Sequence, residues 1–167
     1  MLPDLSHWCV DGDKRTCDVQ SFFEKYISGN PQIYDKDFYW GYFIHLMTDI
    51  FWHEQKIAQL KNESEDTIKA TKQKWRSVDN SFLVDYKDFK PLAEMKYAFE
   101  FTTKYDKQWL DYYAAGQVKE VIGCILSAFK IAEIENQSRD SVAETEIGRF
   151  IEDCVRYINL KLKEGVK

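Results

Sequence analysis

Phe38-Tyr39-Trp40-Gly41-Tyr42-Phe43-Ile44-His45-Leu46-Met47-Thr48-Asp49-Ile50-Phe51-Trp52-His53 carries apolar residues on almost every side when wound at about 100° per residue. A helix of that kind ordinarily lies buried in the centre of its domain. Its strongly polar members are His45, Thr48, Asp49 and His53. Positions four apart differ by only about 40°, so His45 and Asp49 share a face, and His53 follows one turn later, about 80° round from His45. Asp35 or Asp37 opens the helix, where negative charge suits the positive end of the dipole. The pattern runs on to about Lys61.

A carboxylate on a buried helix needs a partner, because stripping its hydration costs several kcal/mol or more. Two partners fit the pattern. One is a divalent cation, for which His and Asp are common ligands, with zinc the first choice. The other is a hydrogen bond from His45 or a Tyr hydroxyl within the core. His45 and Asp49 are separated by about 6 Å of rise and can converge on one ion. His45 and His53 stand about 12 Å apart along the axis, so His53 suits a second ion or a supporting role.

Working outward, Asp18 can cap a short helix with Phe22, Phe23 and Tyr26 on its apolar side, ended by Gly29-Asn30-Pro31. Residues 64–80 are polar with Ile68, Trp75 and Val78 as sparse apolar points, which suits a surface helix. Phe82, Val84 and Tyr86 alternate and predict a short extended run to Phe89. Lys90-Pro91 restarts a helical pattern through Leu92, Met95 and Phe99, then Tyr105, Trp109 and Tyr112. Gln117 to Glu135 is amphipathic through Val118, Val121, Ile122, Ile125, Leu126, Phe129 and Ala132. Ser141 with Glu144 forms a capping box for a last helix whose apolar side is Ile147, Phe150, Ile151, Val155, Ile158 and Leu162. The expectation is one all-α domain over residues 1–167, with about five to seven helices around the central one.

Composition agrees. The chain is 44% apolar and 16% aromatic, which argues against disorder. Seven Gly and three Pro leave little punctuation for a many-stranded fold. The net charge of −5, with Lys and Arg scattered, lacks the cationic stripe that extended nucleic acid requires. The uncharged run Phe38 to Thr48 is too short to span a bilayer. Cys9, Cys17, Cys124 and Cys154 include no closely spaced zinc pair and follow no signal peptide, so reduced thiols in the cytoplasm are expected.

The central helix resembles a known motif. Gly41-Tyr42-Phe43-Ile44-His45-Leu46-Met47-Thr48-Asp49-Ile50-Phe51-Trp52-His53 is similar to the "GYxxHLxTDxxxH" helix of the zinc-dependent phospholipase C family, most closely its small bacterial hydrolase-like members. Leu2-Pro3-Asp4 resembles the end of that family's "GxxxPD" segment, and Phe22-Phe23-Glu24-Lys25-Tyr26 fits the spacer that follows. The likeness covers about residues 2–55. It implies an all-α fold and zinc-assisted cleavage of phosphoesters. It makes Asp4 a ligand and water-activating carboxylate, places His45 and Asp49 on the same ion, and gives His53 to a neighbouring one. The family also has a histidine between its "PD" and the central helix; here His7 is the candidate, and Cys17, nearer the usual place, could substitute as thiolate. Family chains carry a leading helix before "PD", with a histidine for a further ion. This chain starts two residues before Pro3, so a one-ion site is expected rather than a full multi-metal centre.

The resemblance implies metal-assisted hydrolysis of a small phosphate ester, in which the ion acidifies water and polarises the phosphoryl group and Asp4 takes the proton. Lys14 and Arg15 could neutralise phosphate charge, or be a solvated loop. Tyr39 and Tyr42 could donate to substrate, although aromatics at helical spacing usually pack. Glu144 and Glu146 could complete a site or serve as a solvated face or cap. The rival expectation is a helical binding or structural protein that keeps a vestigial metal site.

Overall fold

A computed structural model of the chain describes residues 9, 16–29, 36–85, 90–134 and 141–165; at 76–85, 90–92, 128–134 and 141–144 the backbone alone is described. The fold is all-α, as the sequence leads one to expect. Six helices and no strand are present among the described residues. Packing divides the chain into two compact units, Met1–Glu65 with Gly148–Lys167, and Asp66–Ile147.

In the first unit, α1 (Val19–Phe23) begins where Asp18 Oδ1 accepts a hydrogen bond from the Ser21 N–H at 3.0 Å. This cap satisfies one of the N–H groups that a helix start leaves without an intrahelical partner. The helix widens into a π turn, Glu24–Ser28, which the Gly29 N–H closes onto the Glu24 carbonyl at 2.8 Å. A Cβ at position 29 would stand 2.5 Å from that oxygen, so the close approach calls for glycine.

The central helix is α2, Lys36–Trp52, with Asp37 in its first turn; Asp35 lies outside the described residues. It continues as a π turn, His53–Ile57, and a 3-10 turn, Ala58–Leu60. The helical path therefore reaches Lys61 as expected, but in three different windings.

Burial all round is not what the structure shows. Phe43, Leu46, Met47 and Ile50 are buried on one side, whereas Gly41, Ile44 and His45 are exposed. The reason lies in where the neighbours pack. Aromatic rings of α1 cover the first half of α2, with Phe22 against Tyr42 (centroids 5.3 Å apart) and Phe23 against Trp40 and Phe43 (5.8 and 5.5 Å). The last helix, α6 (Ser141–Lys163), covers the second half through Phe150 and Tyr157 on Phe51, and Phe150 on Trp52. On the helical wheel His45 and Asp49 fall between Tyr42 and Trp52, in the sector between those two contacts.

Within α6, Ile147, Phe150, Cys154 and Ile158 are buried, while Ile151 and Val155 are exposed. The apolar arc read from the sequence is thus wider than the covered one. The Ser141–Glu144 capping box involves side chains outside the described set.

The second unit holds α3 (Glu65–Asp85), α4 (Lys90–Phe101) and α5 (Gln117–Ile134). The extended run expected from Phe82 is corrected: residues 82–85 belong to α3, and 86–89 lie outside the described residues. Extending a helix already formed adds one hydrogen bond per residue fixed, and a brief alternation does not outweigh that. The helical pattern expected through Tyr105, Trp109 and Tyr112 is also corrected, since residues 102–116 form turns. There the Thr102 hydroxyl accepts a hydrogen bond from the Lys104 N–H at 3.3 Å, a local bond that competes with helix continuation. Gly116, at φ +81°, takes a left-handed conformation just before α5. Trp109 and Leu110 are buried with Val118, Ile122 and Leu126 of α5, while Val121 and Ile125 are exposed. No described helix is long and apolar enough to cross a membrane.

Candidate metal centre

The pair read from the sequence does meet. His45 Nε2 lies 3.7 Å from Asp49 Oδ2, across one turn of α2. That separation is too long for a direct hydrogen bond, so the two side chains face each other without closing the gap. Two ligands at about 2.0–2.2 Å on one tetrahedral zinc ion stand roughly 3.4 Å apart. The observed spacing is within a few tenths of an ångström of that.

The electrostatic setting differs between the two. The Asp49 side chain retains 17% of its exposure and that of His45 retains 51%. The carboxylate is thus tucked against the helix while the imidazole reaches solvent, with the Tyr42 ring edge-on to it at 5.9 Å. An ion held here would face water on one side, as a catalytic site needs for its open coordination position.

His53 follows one turn on, at the start of the π turn, where the Ala58 N–H bonds to the His53 carbonyl five residues back. Its Nδ1 is buried and has no hydrogen-bond partner among the described residues. A buried ring nitrogen left in that state costs free energy on the scale of a lost hydrogen bond. Single π turns recur at functional sites, and a cation is one way to satisfy the nitrogen.

Thr48 takes no part in this cluster. Its hydroxyl donates to the Ile44 carbonyl at 2.8 Å and lies 3.7 Å from Cys154 Sγ on α6. Tyr39 stacks on Tyr26 at 5.3 Å and Tyr42 on Phe22, so both tyrosines work in ring packing. Glu146 is exposed on α6, and the Glu144 side chain is outside the described set.

Asp4, His7, Lys14 and Arg15 also lie outside the described residues. Among the described residues, no group of three or more His, Cys, Asp and Glu side chains is gathered. Cys17 is buried, and its sulfur lies 2.9 Å from that of Cys9. Nothing in the eight-residue spacing signalled that contact, because the intervening residues read only as a polar loop. No family model matches the chain, and neither a curated protein nor a solved structure matches it.

Proposed function

We propose that the protein is a zinc-dependent phosphoesterase-like hydrolase of the phospholipase C type. The observation that carries this reading is the His45–Asp49 pair, 3.7 Å apart with His45 open to solvent, and the buried unpartnered Nδ1 of His53 one turn beyond. A histidine and a carboxylate at that spacing form a borderline-hard donor pair suited to a divalent ion. Asp4, from its resemblance to the family's Pro-Asp segment, is the third donor, and His7 is the candidate for a fourth.

When bound, such an ion lowers the pKa of water towards about 7 and polarises a phosphoryl oxygen. The remaining work falls to the chain. Asp49, at 17% side-chain exposure, would supply a carboxylate oxygen to hold the ion. His45, half exposed, keeps the site accessible to a small phosphate ester. Asp4 accepts the proton of the attacking water, and Lys14 and Arg15 offset charge on the ester. His53, with its buried Nδ1, would suit a neighbouring ion if a second were bound.

Elemental analysis of the purified chain, followed by thermal unfolding with added zinc, tests the reading. At zinc a hundred-fold above its dissociation constant the stability gain is about 2.7 kcal/mol, which for a chain of this size raises Tm by roughly 5–10 °C. The double variant His45→Ala/Asp49→Ala should abolish the gain. Absence of co-purifying metal together with no zinc-induced shift would sink the ligand assignment. Metal binding without turnover of simple phosphomonoesters or phosphodiesters would favour the vestigial binding protein instead.

A further inference from the structure

We infer that Cys9 and Cys17 form a reversible dithiol–disulfide pair, a covalent modification site that fastens residue 9 to the residue just ahead of the α1 cap. The inference does not rest on the metal reading. Its basis is the juxtaposition of the two sulfurs, 2.9 Å apart across eight residues of chain. Two thiolates sharing one zinc ion at about 2.3 Å each stand roughly 3.8 Å apart. The observed contact is closer than that, so the pair is arranged for sulfur–sulfur bonding rather than for a common metal.

The surroundings set the order of events. Cys17 is buried, 8% exposed, and Cys9 is partly exposed. The Cys17 backbone is fixed by the bond from the Val19 N–H to the Cys17 carbonyl at 2.9 Å, immediately before Asp18 caps α1. An external oxidant therefore reaches Cys9 first, and Cys17 waits behind it as the resolving thiol.

With a low-molecular-weight disulfide RSSR as oxidant, the steps balance. The Cys9 thiolate attacks one sulfur of RSSR, a Cys9–SR bond forms, and the R–S⁻ fragment leaves. The Cys17 thiolate then attacks the Cys9 sulfur, the Cys9–Cys17 bond forms, and the second R–S⁻ leaves. The two protons released by the protein thiols end on the two departing thiolates. The protein loses two electrons, and RSSR is reduced to two RSH.

The other two cysteines supply the contrast. Cys124 is exposed on α5, thirty residues from the next cysteine in sequence, and should stop at the mixed adduct. Cys154 is buried on α6, and burial pushes its thiol up, which keeps it in the unreactive protonated form.

The test uses the full chain carrying Cys124→Ser, equilibrated in glutathione buffers of stepped ratio, quenched by alkylation and read by intact mass and peptide mapping. Oxidation should remove two hydrogens with no glutathione retained, reduce the alkylatable thiols from three to one, and yield a linked Cys9–Cys17 peptide. The folded chain should reach half-oxidation at about tenfold less oxidised glutathione than the same chain in denaturant, the difference due to the native placement of the sulfurs. Adding Cys17→Ser should leave a stable glutathione adduct on Cys9. A glutathione adduct persisting on Cys9 in the presence of Cys17 would overturn the inference. So would identical oxidation midpoints for the folded and denatured chains.

Discussion

Helices α2 and α6 meet along one seam, yet they reach it from opposite kinds of sequence. The α6 sequence separates apolar from charged positions, so its wheel announces a buried side. That of α2 is apolar nearly everywhere and announces no side at all. In the structure both end half-covered: Ile44 of α2 and Ile151 and Val155 of α6 are exposed at 45%, 47% and 54%. An apolar wheel tells that a helix belongs in a core, but where its neighbours end decides which residues water reaches. The polar residues of α2 carry the missing information, since His45 and Asp49 fall in the sector between the α1 contact at Tyr42 and the α6 contact at Trp52.

The sharpest way to break this comparison is to truncate adjacent residues of α2. Phe43 is fully buried and packs against Phe23 and Trp40, whereas its neighbour Ile44 is 45% exposed. Phe43→Ala should cost about 3–5 kcal/mol through lost burial and the cavity left behind. Ile44→Ala should cost roughly 0.5 kcal/mol, the scale of a surface change. Urea unfolding of the two variants checks the contrast. Equal costs would mean that α2 is covered on both sides after all.

Much of this was legible in the sequence. The all-α class followed from helical periodicity and scarce turn residues, and the Asp18 cap, the α5 pattern and the His45–Asp49 face followed from spacing alone. What periodicity could not convey was tertiary. Nothing local in Phe82-Leu83-Val84-Asp85 distinguishes a strand start from the end of a helix already running. The aromatic spacing of Tyr105, Trp109 and Tyr112 mimics a helix although the chain turns there, because a loop can bury a ring too, as it does that of Trp109. The contact between Cys9 and Cys17 depends on a chain path that no period encodes.

A smaller effect is expected at the seam itself, and it depends on pH. Burial pushes the Cys154 thiol above its ordinary 9.0, against a weaker opposing effect of the Thr48 hydroxyl. Burial first, then the charges of Glu54 and Cys154, push the Tyr157 phenol above its ordinary 10.0. Both groups are therefore held neutral by folding. Their contribution is complete below the unfolded values and is lost as pH rises from about 9 through the raised folded values. The urea midpoint should accordingly be flat around neutrality and fall on the alkaline side, by less than Phe43→Ala lowers it. Cys154→Ser should move the onset of that fall upward to the range of Tyr157. An onset unchanged in the variant would remove Cys154 from the seam's titration.

A further modest effect belongs to the helix that holds the other end of α2 in place. Hydrogen bonds from Ser21 hold the Asp18 carboxyl below its ordinary 3.8. The sign is opposite to that at the seam: the stabilisation is present above the unfolded value and is lost as pH falls through the lowered folded one. Asp18→Ala should cost about 1 kcal/mol at neutral pH, typical of a lost N-cap. The gap between variant and wild type should close as the solution is acidified. Asp18→Asn keeps a capping oxygen without a titrating proton, so it should retain most of the stability at neutral pH and shed the acid dependence. Because α1 is only five residues long before its π turn, it has few bonds of its own to fall back on. Its rings on Tyr42 and Phe43 are then the main support left once the cap is gone. If Asp18→Ala and Asp18→Asn lost stability equally, the cap would be holding α1 by charge alone and not through the bond to Ser21.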